Sequence, residues 1–146
     1  MSLAPLTAEQ SPRYAVPADR SNPPVASYRD LRVWSLSMDL VIRTYHFTAQ
    51  FPRHETSALS NELQRSVVSV ASNIAEGHGR EQLGDYLHHL SIASGSLTTA
   101  ETLYLIAERL AYIPTADIAP VLRQCDDISR MLAGLVKSLR RKQSGA

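Results

Sequence analysis

Few positions in this sequence combine residue types that could carry out chemistry. Asp85, His88 and His89 lie three and four residues apart, so a helix would place them on one side as potential metal ligands. A di-metal site in a helical bundle also requires several carboxylates and Glu-x-x-His pairs on facing helices, and no such pair occurs in the sequence. We therefore predict that the protein has no metal site and no cofactor.

The remaining candidates for catalysis favour structural roles. Cys125, the one cysteine of the chain, recurs in step with the apolar residues around it, so we expect a core residue and not a nucleophile. The segment 77–79, Gly-His-Gly, breaks a helix and lacks the spacing of a phosphate-binding loop. We predict a protein that is not an enzyme and has no evident small-molecule substrate.

A polar ridge and one acidic residue predict a structural network. Glu101 shares a helical side with Leu97 and Tyr104, where an unpaired carboxylate would be costly. Arg65 is the favoured partner, because a guanidinium can meet a carboxylate bidentately. The alternatives are an ordinary solvated ridge and a seam that opens to solvent at Glu101. The ridge, at three- and four-residue steps, comprises Arg65, Ser69, Ser72, Asn73 and Glu76.

The basic residues near the C-terminus form a second candidate surface that could track phosphates. A solvated face, or cations favoured at a helix C-terminus, would also explain them. Asp126 and Asp127 interrupt the run, and no aromatic residues are interleaved for stacking on bases. Binding of nucleic acid is therefore an alternative function. Its candidate residues are Arg80 and a stripe of Arg123, Arg130, Lys137 and Arg141, joined by Arg140 and Lys142.

Helices must position these residues, because apolar residues recur at three- and four-residue steps and strand-type alternation is absent. Asp30 and Asp117 are expected to cap the first and fourth helices, and Gly77 to end the second in a left-handed conformation. Short connections make sequential helices antiparallel neighbours, so we predict an all-α, up-down-up-down four-helix bundle. The predicted helices span about 30–50, 57–76, 81–111 and 117–142.

Composition predicts one domain behind an unstructured N-terminal segment. Residues 1–27 hold five of the eight prolines and no apolar period, so we predict a disordered tail there, a bundle over 28–142 and a disordered C-terminus over 143–146. Charge is nearly balanced, with 15 Lys and Arg against 14 Asp and Glu. One cysteine, no membrane-length apolar run and no signal peptide predict a cytoplasmic protein without a membrane partner.

The first helix has more apolar surface than one core requires. Its predicted core side runs from Trp34 through Ile42 and Tyr45, and a second apolar side diverges by more than a right angle. A helix that is apolar on two sides is usually buried on both, so we predict a homo-oligomer contact there. Coverage by the tail is the alternative. The predicted contact residues are Val33, Leu36, Leu40 and Phe47.

Several local strings resemble one family. They are Leu31-Arg32-Val33-Trp34, Phe51-Pro52, Asn73-Ile74-Ala75-Glu76-Gly77 and Ala93-Ser94-Gly95-Ser96-Leu97. They are similar to the bacterial four-helix-bundle proteins named for reading frames inside intervening sequences of 23S rRNA genes, a family to which accessory proteins of diversity-generating retroelements are related. The sequence departs from the family at Ser94 and Thr99, where members often carry a basic and an acidic residue.

The resemblance implies ring-shaped homo-oligomers, typically pentamers, and the retroelement relatives bind nucleic acid and a reverse transcriptase. The sequence thus predicts a non-enzymatic, ring-forming scaffold or adaptor, with a pentamer favoured. The alternative is an RNA- or DNA-binding protein that acts through the basic stripe.

Overall fold

The chain forms an antiparallel four-helix bundle, which confirms the predicted fold class. The structure, a computed structural model, describes residues 27–145. The predicted N-terminal tail lies outside this range except for Ser27. Short 3-10 turns at Tyr28–Asp30 and Arg53–Glu55 precede the first two helices, and no strand occurs within residues 27–145. The helices are α1 (Arg32–Thr48), α2 (Leu59–His78), α3 (Leu83–Arg109) and α4 (Thr115–Ser144).

One continuous apolar core joins the four helices. Each helix contributes a stripe at three- and four-residue spacing, and burying each large side chain stabilises the fold by about 1.5–3 kcal/mol. Regular stripes are buried on α2, α3 and α4, with Leu63, Leu97 and Ile128 at their centres. Cys125 is fully buried among them, as its spacing predicts.

The core-facing side of α1 differs from the prediction. Leu40 is 0% exposed and Val33 is 5% exposed, so neither can form the predicted subunit contact. Leu36 and Phe47 are partly buried against the same core. The predicted oligomer contact is therefore wrong for Val33 and Leu40, and those four residues belong to the protomer's own packing.

Two polar residues explain why the sequence prediction assigned the wrong side of α1 to the core. Ser37 and Thr44 are fully buried, and their hydroxyls donate to the carbonyl oxygens of Val33 and Leu40 at 2.7 Å. A hydroxyl that bonds the preceding helical turn needs no solvent, so the helix can turn these residues inward. The sequence prediction assumed that polar residues mark the solvent-facing side of a helix. For α1 this assumption placed the buried side on the wrong face.

The three predicted capping residues are also wrong. Leu31 caps α1 without a side-chain bond, while Asp30 completes a capping box with Ser27 around the first 3-10 turn. Pro114 precedes α4, which places Asp117 inside the first turn. Gly77 lies within α2, and the capping residue Gly79 has a right-handed φ of −80°. At the other end, α4 continues through Ser144, beyond the predicted bundle limit.

None of the helices within residues 27–145 has the length and apolar character that a bilayer crossing requires.

Candidate interaction surfaces

A hydrogen-bonded group joins α2 to α3 at the predicted polar ridge. The Nδ2 atom of Asn73 donates to the carbonyl oxygen of Ser69 at 2.9 Å and lies 3.1 Å from the Ser69 hydroxyl. That hydroxyl meets the hydroxyl of Ser96 at 2.8 Å. On its other side, Oδ1 of Asn73 lies 2.9 Å from Nδ1 of His89. Ser69 and Asn73 thus tie two helices together, with Ser96 and His89 as partners that the sequence reasoning missed.

Close backbone approach accompanies this group one turn further along α2. A Cβ atom on Gly77 would lie 2.8 Å from Cβ of His89 and 2.9 Å from Cδ2 of Tyr86. These separations are too short for any side chain, so glycine is needed because of the neighbouring helix and not because of a turn. The Asn-Ile-Ala-Glu-Gly string therefore encodes an interhelical bond, a core residue and a close contact.

Arg65 and Glu101 do not pair, which overturns the prediction made for them. Arg65 is exposed and lines a depression beside Tyr45 of α1. Among residues 27–145 no ion pair involves either Arg65 or Glu101. Glu76 bonds instead with exposed Arg80 at 2.7 Å, within one turn. The predicted network thus divides into separate local contacts.

Glu101 is partly buried and interacts electrostatically with α4. Desolvation by burial raises the pKa of its carboxyl group, and the negative charge of Asp126 raises it further. The same two carboxylates act on Cys125, whose thiol pKa burial raises to about 12. A thiol with so high a pKa stays protonated at neutral pH and is a poor nucleophile.

A buried hydroxyl pair crosses the core near these groups. The hydroxyl oxygens of Thr44 and Tyr104 lie 2.5 Å apart. Thr44 has a single hydroxyl hydrogen, which it donates to the carbonyl oxygen of Leu40, so Tyr104 must donate to Thr44. Burial raises the pKa of Tyr104 to about 12. The pair is a satisfied structural contact that does not reach the surface.

One exposed apolar surface lies on α1 and α2 and was not predicted. Ile42 and Tyr45 are 56% and 48% exposed, although the sequence assigned both to the core. Tyr45 borders a depression with Val68, which is 41% exposed. Arg65 and Ser72 line the same depression. We call Ile42, Tyr45 and Val68 the α1–α2 face.

A second exposed apolar surface follows α3. Ile92, Thr99, Ile106 and Leu110 recur at steps of seven, seven and four and are all exposed; we call them the α3 face. Between Asp85 and Glu108 the only charged residue is Glu101, which is partly buried.

The threonine hydroxyls in the middle of α3 donate within their own helix. Thr98, Thr99 and Thr102 each donate to a carbonyl oxygen four residues earlier, at 2.9–3.2 Å. Covering the α3 face would therefore strand neither a charge nor these hydroxyls. The near-absence of charged residues over this stretch was visible in the sequence. Only the structure shows that Glu101, the one exception, is partly buried.

The predicted basic stripe is exposed along α4, but its cations differ in whether an acidic residue offsets their charge. Arg130 bonds with Asp127 one turn away, which offsets its charge. Lys137, Arg140 and Arg141 lie in no ion pair within residues 27–145 and border one depression. The uncompensated positive charge is therefore concentrated in the last turns of α4, where Lys142 is also exposed, while Arg123 is exposed nearer the start of the helix.

The three residues of the histidine cluster lie in different surroundings. Within residues 27–145, no group of three or more His, Cys, Asp or Glu side chains is placed to hold a metal ion. Asp85 and His88 are exposed, and His89 is engaged with Asn73.

Comparisons with known proteins place the chain in a family. No curated protein matches it. A solved structure is similar: a protein with unknown function from the S23 ribosomal protein family of Bacteroides thetaiotaomicron VPI-5482. It is 20% identical, with a TM-score of 0.67, and the alignment covers 72% of this chain and 95% of that one. Residues 29–134 match the family described as 23S rRNA-intervening sequence protein, so the chain belongs to that family.

Proposed function

We propose that the protein is a non-enzymatic scaffold or adaptor that self-associates through its two exposed apolar faces, the α1–α2 face and the α3 face. The observation that carries this proposal is the α3 face. Between Asp85 and Glu108 the only charged residue of this helix is the partly buried Glu101, and the hydroxyl of Thr99 donates to its own helix. An ordinary helix carries charged side chains on its solvent-facing side. Exposed apolar patches often mark interaction sites.

The two faces lie on different helices, so the simplest contact is head-to-tail, with the α3 face of one copy against the α1–α2 face of the next. A contact of this kind closes into a ring when the rotation between copies allows it. The family resemblance favours five copies. A buried, unpaired cysteine supports a cytoplasmic setting, where thiols remain reduced.

Light scattering of the purified full chain tests the assembly. We expect a mass near five times the 16.1 kDa protomer for the wild type. Ile42→Glu and Ile106→Glu should each give monomers, because each removes one of the two faces. Ala116→Glu, an exposed site at the start of α4, is the matched control and should leave the mass unchanged.

Mixing the two variants gives the sharper result. Each retains one intact face, so the mixture should form a dimer of about twice the protomer mass and no ring. A monomeric wild type at micromolar concentration contradicts self-association. A mixture that rebuilds the full ring contradicts the head-to-tail arrangement.

Binding of RNA or DNA is the second candidate, and the charge at the end of α4 favours it. Lys137, Arg140 and Arg141 are exposed and outside the ion pairs of residues 27–145. If phosphates are bound there, each lost contact should reduce the dependence of affinity on salt. Arg141→Gln should therefore weaken binding of a fluorescent single-stranded RNA and flatten its salt slope by about one unit. Arg130→Gln, already paired with Asp127, should change the slope less.

A further inference from the structure

Short side chains leave a cleft between α3 and the C-terminal half of α4. Ser91 and Ser94 line it on one side, and Ser129 and Ala133 line it on the other. Its volume is about 270 Å³. All four residues are exposed, so the cleft is open at the surface.

The floor of this cleft is apolar. Leu90 and Leu132 are 1% and 3% exposed, and Leu87 and Val136 are partly buried beside them. Water in such a cleft finds few partners at the floor, so apolar side chains would displace it favourably.

Positive charge lies at one end of the cleft. Arg140 lines it and also lines a neighbouring depression that contains Lys137 and Arg141. The two depressions share Ala133, Val136 and Arg140, so they form one groove along α4. No Asp or Glu lines either part.

We propose that this groove, which we call the α3–α4 groove, binds an acidic amphipathic segment of a partner protein. The proposal extends the adaptor role above by naming the chemistry of its partner. Apolar anchors at three- and four-residue spacing fill the floor, and flanking carboxylates meet Lys137, Arg140 and Arg141.

The apolar floor of the groove favours a protein segment over a nucleic acid as the ligand. Phosphates use the cations alone and leave Leu87 and Val136 uncovered. Stacked bases need aromatic side chains, and none lines the groove. A protein segment satisfies both halves of the groove together.

A synthetic helical peptide is the probe, with leucines at three- and four-residue spacing and glutamates on the flanking positions. Fluorescence anisotropy at physiological salt should show saturable binding to the full chain, with Kd on the order of 10 µM. Two matched peptides, one with lysines for the glutamates and one with serines for the leucines, should each bind at least tenfold more weakly.

Protein variants locate the site. Ala133→Phe fills the groove without changing charge and should weaken peptide binding at least tenfold, while single-stranded DNA binding stays unchanged. Ala116→Phe, on the same helix but outside the groove, should leave both unchanged. Ser94→Phe fills the opposite wall and replaces Ala133→Phe if that variant melts early.

Several results overturn the proposal: no binding to the wild type, equal binding of the serine peptide, or undiminished binding to both groove-filling variants. Light scattering of the variants keeps this test separate from self-association. Loss of peptide binding with unchanged mass supports the groove alone. A monomeric wild type that still binds the peptide contradicts the ring and leaves the groove supported.

Discussion

The Nδ1 atom of His89 on α3 lies 2.9 Å from Oδ1 of Asn73 on α2, and this contact dictates where the imidazole carries its proton. The amide nitrogen of Asn73 donates to the carbonyl oxygen of Ser69, which can only accept. Oδ1 of Asn73 must therefore be an acceptor, and Nδ1 of His89 must be the donor.

Neutral His89 should accordingly carry its hydrogen on Nδ1 and a lone pair on Nε2. Long-range ¹H–¹⁵N correlation spectra distinguish the two tautomers by their nitrogen shifts. In Asn73→Ala the acceptor is gone, so neutral His89 should become a mixture of the Nδ1–H and Nε2–H tautomers. A wild-type spectrum with Nε2 protonated and Nδ1 bare would contradict the arrangement of this contact.

Gly77→Ala should destabilise the protein by about 1–3 kcal/mol. The new methyl group would lie 2.8 Å from Cβ of His89, an atom next to the backbone that cannot move without shifting α3. The better helix propensity of alanine returns only about 1 kcal/mol. Gly134→Ala on α4 is the matched control, since nothing lies within 4 Å of its added Cβ. Thermal melting should show opposite signs for the two variants, and a stabilised Gly77→Ala would disprove the close contact.

Thr44→Val should cost more stability than Tyr104→Phe, although both remove the same hydrogen bond. Removing the Tyr104 hydroxyl leaves Thr44 bonded to the carbonyl of Leu40, so the cost is about 0.5–1.5 kcal/mol. Removing the Thr44 hydroxyl strands the Tyr104 hydroxyl in the core, at about 1–3 kcal/mol. Chemical denaturation of both variants measures the difference. Equal losses, or the reverse order, would contradict the direction of donation.

Periodicity was enough to predict the fold, because α2, α3 and α4 each bury one regular apolar stripe. It failed on α1, where Ser37 and Thr44 satisfy their hydroxyls within the helix and so face inward. It also placed Gly77 at the left-handed end of the second helix, since a requirement set by His89 on another helix has no local signature. Periodicity did place Ser69 and Asn73 on the polar ridge. Their partners Ser96 and His89 on α3 could not be predicted, because they depend on the register between the two helices.

The partner predicted for Glu101 was wrong for a related reason. Helical periodicity places Glu101 beside the core but does not say which neighbouring helix it meets. In the structure it interacts with Asp126 of α4, so its environment repels negative charge instead of compensating it. Arg65→Met should therefore be nearly neutral, unlike the loss of one partner of a buried ion pair.

Glu101→Gln should raise the melting temperature at neutral pH. Burial, and then Asp126, raise the pKa of Glu101 in the folded state above its ordinary value of 4.5, so the native protein binds this proton more tightly than the unfolded chain does. Stability from this group is fully present below the unfolded pKa and is lost as pH rises through the folded pKa.

The advantage of glutamine should consequently be largest near pH 8 and should shrink towards pH 4.5, where the wild-type carboxyl becomes protonated. Asp126→Asn should give a smaller gain, because it removes only the secondary cause. Calorimetry of the three proteins across this range measures the effect. A gain that is independent of pH would show that glutamine acts through packing and not through the charge. A loss of stability at pH 8 would mean that the ionised carboxylate has a stabilising partner after all.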